Sequence, residues 1–418
     1  MKKTEVIAEN AYVEQLARYE KYKAMGLKLD MSRGKPSKAQ LDLSNGLFDI
    51  LTSKSDFTGS QDYRNYGILD GIPEAKKLFA ELSGVKESEI MVLGNASLSI
   101  MYDTLQRAMQ FGVCGNKPFN KQGKIKWLCP VPGYDRHFAI TELFGIEMIN
   151  VPMTESGPDM DMIEKLVSAD EQIKGIWCVP KYSNPQGIVY SDETVRRFAA
   201  LKPKAADFRI YWDNAYMVHY VTEDVKLLNL LNTAKEYGNE DMVYMFGSTS
   251  KITFAGGGVG FMAASENNLA SLRKLMGIQT IGYDKLNQLA HVRFFKNAQG
   301  ILDHMDKHAA LMRPKFEKVL EILSAEMDGF ASWNEPKGGF FVSVDLPEGT
   351  AKRTVFLAKE AGVVFTGAGA TYPYKKDPSD SNVRIAPSMP PVEELAIAME
   401  VFCCAAKLAY FEKATGRI

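Results

Sequence analysis

The stretch MVYMFGSTSKITFAGGGVGFMAAS (242–265) carries the decisive pattern: two apolar strand candidates, 242–248 and 259–265, flank a lysine and a run of three glycines. Further continuous apolar strands precede it at KIKWLCPV (124–131), IEMINVP (146–152), IKGIWCVP (173–180) and FRIYWDNA (208–215). Helical stretches such as DRHFAITELFG and DETVRRFAALK separate them. Continuous apolar strands alternating with helices argue for an α/β fold whose sheet is mostly parallel and covered on both faces. Toward the amino terminus, residues 6–25 read as an amphipathic helix ending at Gly26, followed by an irregular stretch through MSRGKPSKAQLDLS. Beyond about residue 290 the texture changes. A long helical stretch, 291–327, is expected to break near Pro314, and GGFFVSVDL, a helix, NVRIAPS and a final helix from Val392 follow. The expected plan is a large α/β domain over 50–290 and a smaller α+β domain built from both chain ends, 1–49 and 291–418. A chain of 418 residues is long enough for two such units.

Composition narrows the function. Fifty basic residues against fifty-one acidic ones leave a formal charge of −1, which gives no global attraction to nucleic acid or an anionic membrane. A small anionic partner must therefore be held by local charges. The five cysteines are odd in number and lack metal-ligand spacing, so buried free thiols, no metal and a reducing compartment are expected. The amino terminus lacks the apolar core of a signal peptide, and no run approaches the roughly 20 apolar residues of a membrane span. A cytoplasmic location is the expectation.

Ligand sites in open α/β sheets gather at the carboxyl ends of strands. Polar residues stand at those ends here: Asn95 and Ser97 after EIMVLG, Asn184 after IWCVPKYS, Asp213 closing FRIYW, and Ser248 and Lys251 after MVYMFG. An isolated lysine is most often a surface residue. Lys251 differs in its setting of small hydroxyl residues and glycines, where partial desolvation turns an amine into a nucleophile for carbonyls. Asp213 suits either a helix cap or a buried carboxylate in need of a cationic partner. Opposite charges about 4 Å apart attract by roughly 4 kcal/mol at an effective dielectric near 20. Asn95, Ala96 and Ser97 open a helix, where free N–H groups favour phosphate, although ordinary caps look the same. Arg384 in SNVRIAPS could fork onto a carboxylate or make a rim salt bridge.

The ordered set YRNYGILDG, GNAS, PVPGYD, KYSNPQG, YWDNAY, GSTSK and RIAPS resembles the fold-type I aminotransferases that depend on pyridoxal 5'-phosphate (PLP), over nearly the whole chain from Arg33 onward. Within them it is similar to a bacterial class I aspartate aminotransferase branch akin to the catalytic part of MocR-type proteins. The resemblance implies that Lys251 carries PLP as an aldimine and moves the substrate proton. Asp213 would hold the pyridinium nitrogen, Asn184 and Tyr216 the phenolic oxygen, and Tyr134 would stack on the ring. Ala96, Ser97 and Ser248, with Asn95 and Ser250 beside them, would surround the phosphate. Tyr66, which starts the pattern ending at Gly71, would reach it across a homodimer interface. Arg384 would clamp the substrate α-carboxylate with Gly34 nearby, and Asn184-Pro185 would be a cis peptide.

One departure stands out. Many class I members carry a phosphate-neutralising arginine where this chain has Gly258. The implied reaction is ping-pong transamination between L-aspartate and 2-oxoglutarate, with Arg33, Lys35 and Arg136 as candidates for the distal carboxylate. Aromatic or aminoadipate specificity and a PLP-dependent β-lyase are the enzymatic alternatives. A non-catalytic PLP-binding regulator is the alternative of a different class, for which motifs beginning at Arg33 leave no room for a DNA-binding domain.

Overall fold

The computed structural model describes residues 3–418. Among the described residues, thirteen strands form three sheets. The large sheet contains β2 (Ile90–Val92), β3 (Lys126–Val131), β4 (Glu147–Thr154), β5 (Gly157–Pro158), β6 (Ile173–Cys178), β7 (Arg209–Asp213), β8 (Val243–Ser248) and β9 (Gly260–Ala264), in the order β2-β9-β8-β7-β6-β3-β4-β5. Strands β8, β7, β6, β3 and β4 are mutually parallel, and β9 runs antiparallel between β8 and β2. The apolar runs are continuous because both faces are buried. Leu128, Ile176, Ile210, Trp212 and Met245 enter one core, and their chain neighbours Trp127, Trp177, Tyr211 and Phe246 enter the other. Period-two alternation supplies both cores from each strand.

The chain ends build a third core. β1 (Leu29–Asp30) pairs in parallel with β12 (Val363–Val364), and β10 (Ser332–Trp333), β11 (Val342–Asp345) and β13 (Asn382–Ile385) form an antiparallel sheet. Helices Lys3–Ala24, Ala298–Met327, Ala351–Glu360 and Val392–Ala414 pack around it through Tyr19, Phe316, Val319, Leu357 and Phe402. The carboxylate of Glu326 joins three of these helices, accepting from Arg18 and Lys407 at 2.8–3.0 Å. All five cysteines are free.

The expected break at Pro314 does not occur. The helix Ala298–Met327 runs through it, and the chain turns instead at Lys296, whose φ is +68°, with Asn297 capping the new helix through Gly300 N–H. Proline costs a helix interior its N–H and a clash with the preceding turn. Here buried residues on both sides of it, Met305 and Met312 before, Phe316 and Val319 after, hold the helix in line. Among the described residues no helix is long and apolar enough to cross a membrane.

Candidate active site

The parallel strands β3, β6, β7 and β8 bring their carboxyl ends to one edge, and each continues into a segment bearing a singled-out residue. These segments and the small sheets enclose a cavity of about 400 Å³. Arg33, Gly34 and Lys35 enter it after β1, and Tyr134, Asp135 and Arg136 from the start of helix Asp135–Leu143. Asn184, Tyr216 and Lys251 enter from the large sheet, and Phe341, Thr366 and Arg384 from the other side. Residues from Arg33 to Arg384 thus line one cavity.

Lys251 sits in the turn after β8, its amine 4.9 Å from the centre of the Tyr216 ring. Burial pushes that amine below the ordinary lysine range, against the opposing pull of the Asp213 charge. Burial, reinforced by Tyr134 and Asp213, pushes the Tyr216 phenol well above its usual range. Asp213 ends β7 and is 2% exposed. Its Oδ2 accepts from His137 Nε2 at 3.0 Å, whereas its Oδ1 is buried with no partner in the protein. His137 lies flat on Trp177, ring centres 4.5 Å apart, with Tyr134 meeting it edge-on at 4.9 Å. Such an orphaned carboxylate oxygen needs an external donor, and a charged one suits it best.

The turn carrying Lys251 is held from below by imidazoles. His291 Nδ1 donates to Asn287 O at 2.8 Å, which leaves Nε2 to accept from Thr249 and Thr253 hydroxyls at 3.1 and 2.9 Å. His304 Nε2 lies 3.0 Å from Ile252 O, and His308 Nε2 stands 3.2 Å from His304 Nε2. Gln40 Nε2 donates to His308 Nδ1 at 3.2 Å, its orientation set by Ser37 N–H donating to Oε1 at 3.0 Å.

The phosphate candidates also meet. Ser248 Oγ is 3.0 Å from Ser250 Oγ, which donates to Asn95 O at 3.3 Å. Ala96 caps helix Ser97–Phe111 with extended backbone and no side-chain cap, so its first N–H groups remain available to an anion. Gly258 leaves no space for the arginine of other class I members. A Cβ there would lie 2.9 Å from Asn95 O and 3.1 Å from Phe254 O. Asn287 Nδ2 donates to Gly257 O and Gly258 O at 2.9 and 3.0 Å and secures the loop. Tyr66 does not reach its own chain's cavity and is 78% exposed.

Arg384 pairs across the small sheet with Ser343 and points into the cavity. Its Nη1 donates to Asn184 Oδ1 at 3.1 Å and Asp135 Oδ1 at 3.0 Å, its Nη2 to Thr366 Oγ1 at 3.2 Å, and Phe341 covers its face at 4.7 Å. Gly34 makes room for that ring, since a Cβ there would stand 2.6 Å from Phe341 Cζ. The Asn184-Pro185 peptide is cis, as is Val131-Pro132.

Sequence reasoning missed His137, Asp135, Thr366 and Phe341. His137 carried a local signal, because it follows Tyr134 by three positions at a helix start and so shares its face. Thr366 and Phe341 lie in apolar segments without a motif, and only the packing of the two sheets brings them here.

The model of the aspartate amino-transferase family matches residues 3–417. The aspartate aminotransferase of Corynebacterium glutamicum is 46% identical over 389 residues, 92% of this chain and 90% of its own. A crystal structure of an aspartate transaminase from the same organism superposes with a TM-score of 0.95 at 44% identity, covering 99% of this chain and 98% of the other. An α-aminoadipate aminotransferase from Thermus thermophilus, 20% identical, shares the fold with a TM-score of 0.73 over 96% of this chain and 95% of its own.

Proposed function

The chain belongs to the aspartate amino-transferase family, and we propose that this aminotransferase moves the amino group of L-aspartate to 2-oxoglutarate with PLP held by Lys251. The observation that carries the reading is the buried, unpartnered Oδ1 of Asp213 at the strand end next to the Lys251 turn. A pyridinium N–H is the charged donor that this oxygen lacks. His137 would keep the carboxylate aimed through the other oxygen. PLP, when bound, supplies an electron sink for the bond cleaved at the substrate Cα.

The residues divide the remaining work. Lys251, with its proton affinity lowered by burial, would hold PLP and act as the base that takes the proton from the substrate Cα. Asn184 and Tyr216 hold the phenolic oxygen, and Tyr134 covers the ring. Ala96, Ser97, Ser248 and Ser250, beside Asn95, hold the phosphate, and Tyr66 reaches it from the partner in a homodimer. Arg384 orients the α-carboxylate next to Gly34 and Asn184. Arg33, Lys35 and Arg136 line the cavity with no ion pair among the described residues, and one or more of them meets the distal carboxylate. Residues 50–290 form the cofactor-holding domain, and both chain ends form the domain that brings Arg384, in a cytoplasmic enzyme.

Visible absorption tests this directly. Protein loaded with PLP should show a band that L-aspartate removes and 2-oxoglutarate restores, and Lys251→Ala should lack it. A band that aspartate leaves unchanged refutes the substrate. The absence of any Lys251-dependent band refutes the cofactor assignment.

A further inference from the structure

A carboxylate grips a guanidinium best through two parallel N–H bonds, so the donors of Arg384 that are still free decide how a substrate can bind. Five N–H donors exist. Both hydrogens of Nη1 are engaged, by Asn184 at 3.1 Å and Asp135 at 3.0 Å. One hydrogen of Nη2 goes to Thr366 at 3.2 Å, and Nε is buried without a partner. The Phe341 ring closes one face. With Nε buried, a fork must use Nη1 with Nη2, and it forms only when Asn184 or Asp135 gives up its Nη1 hydrogen.

Asp135 is the one acidic residue lining the cavity among the described residues, against four guanidinium or ammonium groups besides that of Lys251. Its side chain is 33% exposed while that of Arg384 is 6% exposed, so the carboxylate can leave whereas the guanidinium cannot. A second favourable place lies next to it. Asp135 is the first residue of helix Asp135–Leu143, whose cap residue Tyr134 makes no side-chain cap bond. The unfilled helix N-terminus can take the displaced carboxylate.

We infer that Asp135 is a resident counter-ion of the carboxylate clamp, occupying Arg384 until an incoming substrate carboxylate displaces it onto its own helix N-terminus. Asp135 is thus a positioning residue that raises the cost of binding every substrate by the same amount. It does not choose between substrates, because a shared cost cancels in their ratio. The inference rests on the reading of Arg384 as a substrate-carboxylate clamp.

The test uses the PLP-loaded enzyme and succinate, a dicarboxylate without an amino group, titrated calorimetrically. Asp135→Asn should bind succinate about tenfold more tightly than wild type, equivalent to about 1.4 kcal/mol. Asp135→Ser, which also suits a helix start, should shift affinity in the same direction, and Asp135→Glu should return it toward wild type. Steady-state KM for aspartate and for alanine should fall by one common factor, with KM changing more than kcat. Were Asp135 merely a prop for Arg384, its removal would weaken succinate binding and raise KM. Unchanged or weaker binding in both charge-removing variants, with wild type still transaminating aspartate, overturns the counter-ion alone. Wild type that neither binds succinate nor transaminates overturns the underlying reading with it.

Discussion

At the scale of single residues, the site depends on where each polar atom finds its partner. Asp213 illustrates the point, with one oxygen satisfied by His137 and the other left without a partner. Replacing His137 by Phe keeps a ring against Trp177 and orphans the second oxygen. Such a loss costs about 1–3 kcal/mol, and denaturant unfolding of the cofactor-free protein should show that fall. A smaller fall in His137→Asn would indicate that its amide still donates to Asp213. Gly34 is governed by space rather than charge. In Gly34→Ala the new methyl meets Phe341 at 2.6 Å and drives the ring toward Arg384. Overpacking of about 1–3 kcal/mol should appear as a KM for aspartate raised roughly tenfold, with the Lys251-dependent absorption band retained. Gly34 and Lys251 were legible in the chain because their neighbours formed motifs. Asp135 was not, because its partner lies 249 positions away.

At the scale of elements, two close approaches shape the cofactor end of the site. The loop between β8 and β9 passes so near the entry to helix Ser97–Phe111 that position 258 has no space for a side chain. The missing arginine is therefore a consequence of how these segments meet. Gly258→Ala should weaken PLP binding, and Gly258→Arg should weaken it further rather than supply a useful cation. Fluorescence titration with PLP measures both, and a tighter Gly258→Arg variant would contradict the packing argument. The helix Ala298–Met327 makes the complementary point. Its sequence contains a helix breaker, yet tertiary burial along one side outweighs a local penalty of about 3 kcal/mol. The strands needed no such rescue, since their apolar runs match a sheet buried on both faces.

At the scale of the whole molecule, the five histidines are all buried, and four of them lie around the Lys251 turn or against its neighbours. Burial lowers His291 and His304, drives His219 well down, and brings His308 to about 4 with added repulsion from His304. A histidine of ordinary pKa near 6.5 in the unfolded chain takes up a proton more readily there than in this fold. The neutral histidines therefore stabilise the native state fully above about pH 6.5, and this contribution disappears as pH falls toward 4. Thermal melting between pH 7 and 4.5 should show Tm decreasing across that window. His308→Gln, which retains a polar partner for Gln40, should flatten the decrease, and an equally steep decrease would place its origin elsewhere. Because Gln40 belongs to the amino-terminal segment and His308 to the helix Ala298–Met327, the same network joins distant parts of the chain beneath the lysine.

The sequence by itself determined the α/β class, six strands of the large sheet and the residues at the carboxyl ends of several of them. These follow from periodicity and from motifs a few residues long, and both are local properties of the chain. The tertiary structure alone decided which donors remain free. The orphaned oxygen of Asp213, the engagement of Arg384 by Asp135 and the closed space at Gly258 each depend on atoms from segments far apart in the chain. Hydrogen bonding and close packing act over a few ångströms, so their outcome is set only after folding has brought those segments together.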